Sequence, residues 1–188
     1  MLKIFSFNTS DIIEKINLFE YQNNIKLPSL YADFLKKYNG GYTPKTSFEI
    51  DEISSDIRGF YGFEENDENY NFLLLTRCDD FIDCINNSFL PIAMDSLGNF
   101  IVIGIGEHNN GEVYFLDTEM NRYNYLSSNF KNFISQINSQ KFIIRSIDER
   151  LQGMKKINSN VKVDDELLKL WQTEIDKYSK LKQQIVII

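Results

Sequence analysis

The segment from residue 90 to residue 117 constrains the fold of this chain more than any other part of the sequence. Its centre, Phe100–Ile105, is apolar almost throughout and lacks the alternation of a strand with one exposed face. We therefore predict a central strand that is covered on both faces. Leu90–Asp95 precedes it and Glu112–Asp117 follows it, and the polar segments between them are typical of turns, so the three predict an antiparallel β-meander.

Two helical patterns precede the meander. The first extends from Asp11 to about Tyr21, with Asp11 as the predicted cap and Glu14 at the position that completes a capping box. The second is predicted to begin at Pro28, because the missing N–H of proline would be unpaired at the first helical position anyway. Asn39-Gly40-Gly41 is predicted to end this helix, since glycine suits a left-handed backbone.

In the rest of the first 140 residues the apolar residues are spaced less regularly. Residues 46–63 are predicted to be irregular, and residues 79–87 are predicted to be helical with Ile82 facing inward. Ser127 or Ser128 is expected to cap a helix after the meander. Helices, then a meander, then another helix is the order of an α+β fold.

The formal net charge of −7 is unevenly distributed over the 188 residues. Residues 1–140 contain 10 Lys+Arg and 20 Asp+Glu, a net charge of −10, whereas residues 141–188 contain 10 and 7, a net charge of +3. We therefore predict an acidic domain, residues 1–140, and a C-terminal extension, residues 141–188. The acidic balance argues against nucleic acid or an anionic membrane as a direct partner, because both would repel this domain.

The extension contains one strong helical pattern, at about residues 164–182, with acidic residues at its start and lysines at its end. Its apolar face is expected either to pack on the same molecule or to enter the groove of a partner, and a membrane surface is disfavoured because the polar face is not basic enough. Residues 184–188 either add an edge strand or remain loose. The apolar face consists of Leu168, Trp171, Ile175 and Tyr178.

No pattern typical of catalysis or of metal binding is complete in the sequence. The single histidine, His108, lies in a predicted turn, and no G-x-S-x-G motif accompanies it. Cys78 and Cys84 are six positions apart, which places them about 240° apart on a helix, so they cannot share one ligand sphere. Asp95 and Asp117 are the one carboxylate pair to test, although turn capping explains each of them. We expect no enzyme, no cofactor and no metal.

The acidic loop, residues 64–68, is the predicted partner-binding site. Such a loop is often only a solvated surface, but Phe63 and Tyr70 flank this one. Aromatic rings can act as binding hot spots for a basic protein, while the carboxylates steer its approach. The predicted partner-binding residues are Tyr61, Glu64, Glu65, Asp67 and Glu68.

Composition and chain ends indicate a bacterial, cytoplasmic protein. Lys outnumbers Arg 15 to 5, Asn occurs 20 times and Ala occurs only at Ala32 and Ala93, which points to an AT-rich genome. The apolar stretch after Lys3 is too short for a signal peptide, and no run approaches the ~20 residues of a membrane span. Two cysteines fit a reducing cytosol.

Five short signatures follow one another along the chain. They are Phe19-Glu20, Leu27-Pro28-x-x-Tyr31-x-x-Phe34-Leu35-x-x-x-Asn39-Gly40-Gly41, Leu90-Pro91-Ile92-Ala93-x-Asp95-x-x-Gly98-Asn99, Gly111-x-Val113-Tyr114-Phe115-x-Asp117 and Ser128-x-Phe130-x-x-Phe133. None is specific by itself, but the ordered set, over about residues 11–137, resembles the Smi/Knr-like group of the SUKH superfamily. Leu116, where that group often has an aromatic residue, and Thr118, where it often has His, depart from the pattern.

The resemblance implies an α+β domain with a mixed, largely antiparallel sheet flanked by helices, and a function in binding rather than catalysis. Bacterial members resemble immunity proteins that neutralise a cognate toxin, often a nuclease or deaminase, and fungal members act in cell-wall regulation. The inferred bacterial origin favours an immunity protein with a basic toxin as its partner. The shared positions with a structural role are Pro28, Asn39, Gly40, Gly41, Asp95, Gly98, Asn99 and Asp117.

An alternative function follows from the same sequence. The chain could serve as a scaffold or regulatory module that binds a host protein, or a small ligand in a cleft. The cleft would lie near the two turns Asn39–Gly41 and Asp95–Asn99.

Overall fold

The computed structural model describes residues 1–157 and 161–188. Contacts divide them into two compact units, the first made of residues 1–140 and 184–188 and the second of residues 141–183. The strands, all in the first unit, are β1 (Lys3–Ser6), β2 (Gly41–Tyr42), β3 (Thr46–Ile50), β4 (Ile53–Asp56), β5 (Gly59–Phe60), β6 (Phe89–Met94), β7 (Phe100–Gly104), β8 (Val113–Asp117), β9 (Arg122–Ser127), β10 (Asn138–Ser139) and β11 (Gln184–Ile185). The helices are α1 (Ile12–Asn23), α2 (Ser29–Tyr38), α3 (Phe72–Leu75), α4 (Asp79–Asn86) and α5 (Phe130–Gln136) in the first unit, and α6 (Ile147–Lys156) and α7 (Asp165–Ser179) in the second.

Eight strands form one sheet in the order β11-β1-β2-β5-β6-β7-β8-β9, with antiparallel pairing between neighbours. The predicted meander is confirmed as β6-β7-β8, and β7 is buried at all five positions, as a central strand should be. A single isolated parallel bridge joins Gly62 and Asn71. The α+β class and the largely antiparallel sheet are therefore confirmed. β9, which was not predicted, continues the meander to the edge of the sheet.

Helices cover both faces of the sheet, which explains why β7 is apolar throughout. On one face α2 and α5 pack against β5 through Phe34, Phe130 and Phe60, whose ring centroids are 5.2–6.0 Å apart. Tyr61 follows Phe60 in an extended segment and points to the other face. There its ring centroid lies 5.8 Å from that of Phe72 in α3.

The predicted capping box of α1 is wrong. Asp11 stands at the N-cap position, but its backbone is left-handed, with φ 55°, and its side chain makes no capping hydrogen bond. A capping side chain reaches the first turn from an extended backbone, which Asp11 does not have. Glu14 is therefore an acidic residue in the first turn and has no role in a cap.

Three further helix predictions need correction in detail. Pro28 is the residue before α2 rather than its first residue. In α4, Ile82 is 51% exposed, because Phe81 and Cys84 provide the buried face. The cap of α5 is Asn129, whose side-chain oxygen accepts a hydrogen bond from the Asn132 N–H at 2.8 Å, and neither Ser127 nor Ser128 takes this role.

The prediction that residues 46–63 are irregular is wrong. This segment forms the β3–β4 hairpin, and β10 adds a third strand on the other side of β3. Thr46, Phe48 and Ile50 are buried while the residues between them are exposed, so the period of two typical of a strand is present in β3. Asp51, with φ 52°, makes the tight turn that replaces the usual Asn-Gly signal.

The last five residues contain a short edge strand, β11. β11 pairs with β1, the Val186 N–H donates to the Leu2 carbonyl at 3.0 Å, and the Val186 side chain is buried. The Tyr38 hydroxyl also accepts a hydrogen bond from the Ile187 N–H at 2.9 Å. Residues 184–188 therefore belong to the first unit, and a separate domain over residues 1–140 stays a prediction.

The second unit is a pair of helices, of which the sequence analysis found only α7. Ser146 and Glu149 form a reciprocal capping box at the start of α6, and Asp164 caps α7. The Arg150 guanidinium donates to the Glu174 carboxylate at 2.7 Å and lies 5.5 Å from the centroid of the Trp171 ring, which joins the helices. Leu168, Trp171, Ile175 and Tyr178, the predicted apolar face, are all half-buried.

Candidate protein-interaction site

Asp67 organises the acidic loop from inside and does not face a partner. Its side chain is 5% exposed and accepts hydrogen bonds from the Tyr42 hydroxyl, from the Asn69 N–H at 3.0 Å and from the Tyr70 N–H at 2.6 Å. A carboxylate with three donors holds the loop as a turn. The prediction that Asp67 contacts a partner is therefore corrected, because its oxygens are already used.

The aromatic residues beside the loop are also inside the protein. Tyr61 is 3% exposed, and Phe63 and Tyr70 are buried as well. The Tyr61 ring packs between those of Tyr70 and Phe72, with centroids 5.9 and 5.8 Å away. Burial raises the pKa of the Tyr61 hydroxyl well above its usual value. Tyr61 is thus a core residue and not the exposed hot spot that its sequence position suggests.

Three carboxylates of the acidic loop remain at the surface. Glu65 and Glu68 are exposed and Glu64 is half-buried. Glu65 forms an ion pair with Lys15 at 3.1 Å, and Glu64 accepts a weak hydrogen bond from the Asn8 N–H at 3.4 Å. This part of the loop is an acidic surface without aromatic neighbours at the surface.

The turn at Asn39–Gly41 joins three parts of the chain. The Asn39 amide donates to the Asn8 carbonyl at 2.5 Å and accepts from the Phe63 N–H at 2.7 Å. At Gly40, with φ +72°, an added Cβ would lie 2.5 Å from the Tyr61 carbonyl oxygen. Glycine is therefore required here both for the backbone conformation and for the close approach of two segments of the chain.

The turn at Asp95–Asn99 is built in a similar way. The buried Asp95 carboxylate accepts from the Leu97 and Asn99 N–H groups, both at 2.8 Å, and from the Ser55 hydroxyl at 2.8 Å. Gly98 has φ +89°, which a β-turn of this kind needs at that position. Asp95 is thus occupied in holding the turn that enters β7.

Asp117 also holds a turn. Its carboxylate accepts a hydrogen bond from the Met120 N–H at 3.0 Å, after the end of β8. The Asn99 side chain accepts from the Thr118 N–H at 3.1 Å and links this turn to the preceding one. Turn capping therefore accounts for Asp95 and Asp117 separately, and the contacts give neither the pattern of a catalytic pair.

The contacts of His108, Cys78 and Cys84 do not form a catalytic arrangement. His108 is exposed in its turn, Cys78 is exposed and Cys84 is buried. Burial raises the pKa of the Cys84 thiol to about 11, so it is protonated at neutral pH. Within residues 1–157 and 161–188, no three His, Cys, Asp or Glu side chains are placed to hold a metal ion.

Two cavities of the first unit bear on the alternative of a small ligand. One, of about 490 Å³, lies along 45–47, 56–58 and Gln140, and the other, of about 120 Å³, lies along 28–30 and beside Phe130. Neither is lined by residues of the Asn39–Gly41 or Asp95–Asn99 turns. A ligand cleft at those turns stays a prediction, and Asn39 and Asp95 are buried and hydrogen-bonded there.

A surface that was not predicted from the sequence lies on one face of the sheet, with side chains from β6, β8 and β9. Four aromatic side chains on one face of the sheet pack together there, and we call them the tyrosine face. Tyr125 is 49% exposed and the other three are half-buried. The sequence signal was the alternation Tyr123-x-Tyr125 in β9. The tyrosine face consists of Phe89, Tyr114, Tyr123 and Tyr125.

The turns and the meander, with the two helices before them, correspond to a known family. The model of the SMI1 / KNR4 family (SUKH-1) matches residues 13–136, which is more than half of the chain. The chain belongs to this family. The resemblance to the SUKH superfamily is thereby confirmed, and the match ends close to the end of α5.

A relative within the curated proteins supports the same assignment. The SPbeta prophage-derived uncharacterized protein YokK of Bacillus subtilis (strain 168) is 31% identical to this chain over an alignment 185 residues long. The alignment covers 87% of this chain and 88% of the relative. No solved structure matches the chain significantly. Similarity to YokK extends beyond the family model and therefore includes part of the second unit.

Family membership supports a non-catalytic, immunity-like role, since SUKH members are generally immunity-type proteins rather than enzymes. Such proteins act on protein partners, so the surface of the molecule is where its function must be sought. Among the described residues, no helix is long and apolar enough to span a bilayer.

Proposed function

We propose that the protein is a cytoplasmic immunity protein that binds and neutralises a cognate polymorphic toxin of the nuclease or deaminase type. The observation that carries the proposal is the family match over residues 13–136, together with the similarity to a prophage-derived relative. A bacterium that carries a toxin gene must block the toxin in its own cell, and a binding protein achieves this without any chemistry of its own.

The charge of the first unit supports a basic partner. Residues 1–140 carry a net charge of −10, and only three of their carboxylates, those of Glu20, Asp67 and Asp95, are buried. The negative charge is therefore displayed at the surface, where it accelerates the approach of a positively charged protein. A nuclease is such a protein, because it must attract the phosphate backbone of its substrate.

The acidic loop contributes to this attraction through the exposed carboxylates of Glu65 and Glu68 and the half-buried one of Glu64. Charges of this kind raise association rates more than they raise affinity, because solvent screens them and no buried contact accompanies them. The loop therefore serves to steer the toxin, and the tight contact lies on another part of the surface.

We expect the gene adjacent to this one to encode a toxin domain, and co-expression with that domain tests the proposal. We expect cells that express the toxin domain alone to stop growing, and cells that also express this chain to grow normally. An unrelated acidic protein of similar size is the control, because it separates specific neutralisation from charge. Loss of growth in the presence of this chain would contradict the proposal.

A binding measurement with the purified proteins completes the test. We expect one-to-one association at nanomolar concentration, and an association rate that falls about tenfold or more as salt is raised from 0.05 to 0.5 M. Absence of binding at low salt, where attraction is strongest, would rule out the adjacent toxin as the partner. An association rate independent of salt would show that the acidic surface plays no part.

A further inference from the structure

The tyrosine face is only partly covered by α4, the short helix on its side of the sheet. α4 contacts β6 and buries Phe81 and Cys84, and it ends at Asn86. The Tyr123 hydroxyl donates to the Cys84 sulfur at 3.9 Å, so this ring marks the border of the covered region. Beyond it the sheet presents Tyr125 to solvent, with about half of the side chain exposed.

The four rings support one another and form a preorganised surface. The Phe89 ring stacks on that of Tyr123 with a centroid distance of 4.4 Å and meets that of Tyr114 edge to face at 5.0 Å. The Tyr125 ring packs edge to face on Tyr114 at 5.5 Å. Rings already fixed by their neighbours lose little entropy when a partner covers them, and Tyr is among the residues that dominate binding energy.

Carboxylates surround this aromatic surface. The Tyr114 hydroxyl donates to the Glu112 carboxylate at 2.5 Å, and burial together with this bond raises the pKa of Tyr114 to about 12. Asp83 directly precedes Cys84 in α4, and the Cys84 sulfur accepts the hydrogen bond of the Tyr123 hydroxyl, so this carboxylate adjoins the border of the tyrosine face. Asp79 and Asp80 lie in the first turn of the same helix. The surroundings of the tyrosine face are therefore negatively charged.

The nearest cation in β9 does not cancel this charge on the same face. Arg122 stands opposite Asp117 in the strand register. Because successive side chains of a strand alternate between the faces, Arg122 points away from the side on which Tyr123 lies. The charge complementarity of the tyrosine face is thus with a basic partner.

β9 is also the last strand of the sheet in the part of the chain that the structure describes. An edge strand exposes unpaired backbone groups, and proteins usually protect it with charges, prolines or a covering segment. β9 has six residues, no proline and Arg122 as its one charged side chain. A protein that covers the tyrosine face would also protect this edge.

We infer that the tyrosine face, with Asp83 and Glu112 at its border, is the docking surface for a basic protein, and that this protein is the toxin of the proposed function. The inference rests on that function for the identity of the partner. The toxin contacts the protein on β8, β9 and the end of α4 and not at the acidic loop.

The test compares two exposed tyrosines in binding to the toxin domain from the adjacent gene. Tyr125→Thr removes the most exposed ring and keeps a residue suited to a strand. Tyr21→Ala, in α1, removes a ring that is 84% exposed and outside the tyrosine face. We expect Kd to rise about 30-fold or more for Tyr125→Thr, as for a binding hot spot, and less than twofold for Tyr21→Ala.

The outcomes separate the inference from the proposed function. If the wild-type chain does not bind or neutralise the toxin, the proposed function fails, and the docking surface fails with it. If the wild-type chain binds and Tyr125→Thr binds equally well, the function stands and the docking surface is wrong. A second measurement needs no variant: hydrogen exchange of residues 122–127 should slow when the toxin binds, and protection confined to other segments would overturn the inference.

Discussion

Aromatic residues lie beside carboxylates in two regions of this molecule, and the two regions differ in which group is exposed. In the acidic loop the carboxylates Glu65 and Glu68 are at the surface, while Tyr61 and Phe63 are in the core. On the tyrosine face both groups reach solvent, and Tyr125 is 49% exposed. Only the second region combines the properties of a binding hot spot with those of a steering charge.

The difference arises from position in the sheet. The segment at Tyr61 continues β5, which lies between β2 and β6 in the sheet, and the Tyr61 N–H donates to the Ile92 carbonyl of β6. α3 covers the Tyr61 side chain on the face of the sheet. β9 has a neighbour on one side only, and α4 contacts it at Tyr123, through Cys84, while Tyr125 stays exposed. Nearness in sequence therefore predicts which residues can form a surface, whereas the order of the strands decides which of them remain outside.

The largest expected effect tests the packing beneath the acidic loop. Gly40→Ala should lower the free energy of unfolding by about 4 kcal/mol or more, because its Cβ would lie 2.5 Å from the Tyr61 carbonyl oxygen. Gly98→Ala is the matched control, since Gly98 also has positive φ but nothing within 4 Å, and it should cost about 1–2 kcal/mol. Urea denaturation measures both. Equal losses would show that the segment at Tyr61 is free to move away.

A smaller effect separates the two kinds of carboxylate within the loop. Asp67→Ala leaves the donors of Tyr42 and Tyr70 without their acceptor and should cost about 3 kcal/mol of unfolding free energy. Glu68→Ala changes an exposed side chain one position away and should cost within about 0.5 kcal/mol. Equal stabilities of the two variants would mean that Asp67 is available to a partner after all.

The smallest expected effect compares the steering charges of the two regions. Reversal of Asp80 and Asp83 to Lys should slow association with the toxin about tenfold at low salt, because Asp83 adjoins the Cys84 contact with Tyr123 and Asp80 lies about one turn before it on α4. Reversal of Glu65 and Glu68 should slow it about twofold, and both effects should disappear at high salt. Stopped-flow measurements over a salt series give the rates. A larger effect of the loop pair would place the contact at the acidic loop.

The sequence was sufficient for the parts of the fold in which a local pattern has one structural solution. The apolar run of β7 required burial on both faces, and Asn39–Gly41 could end α2 because asparagine and glycine accept positive φ. The ordered signatures were also sufficient to identify the family. Two predictions failed for different reasons. Asp11 has the residue type of a helix cap, but its left-handed backbone prevents capping. In β3 the alternation of buried and exposed residues was present in the sequence and was overlooked.

The candidate site was less predictable, because exposure is a property of the whole fold. The charge of the first unit, the meander, the turn residues and the family could be read from the amino-acid sequence, since they follow from composition, from spacing and from conformations that few residues can adopt. Three facts needed the folded chain: Tyr61 and Asp67 are inside, Tyr125 is outside, and β11 adds an edge strand to the sheet. The physical reason is that burial depends on contacts between segments far apart in the chain.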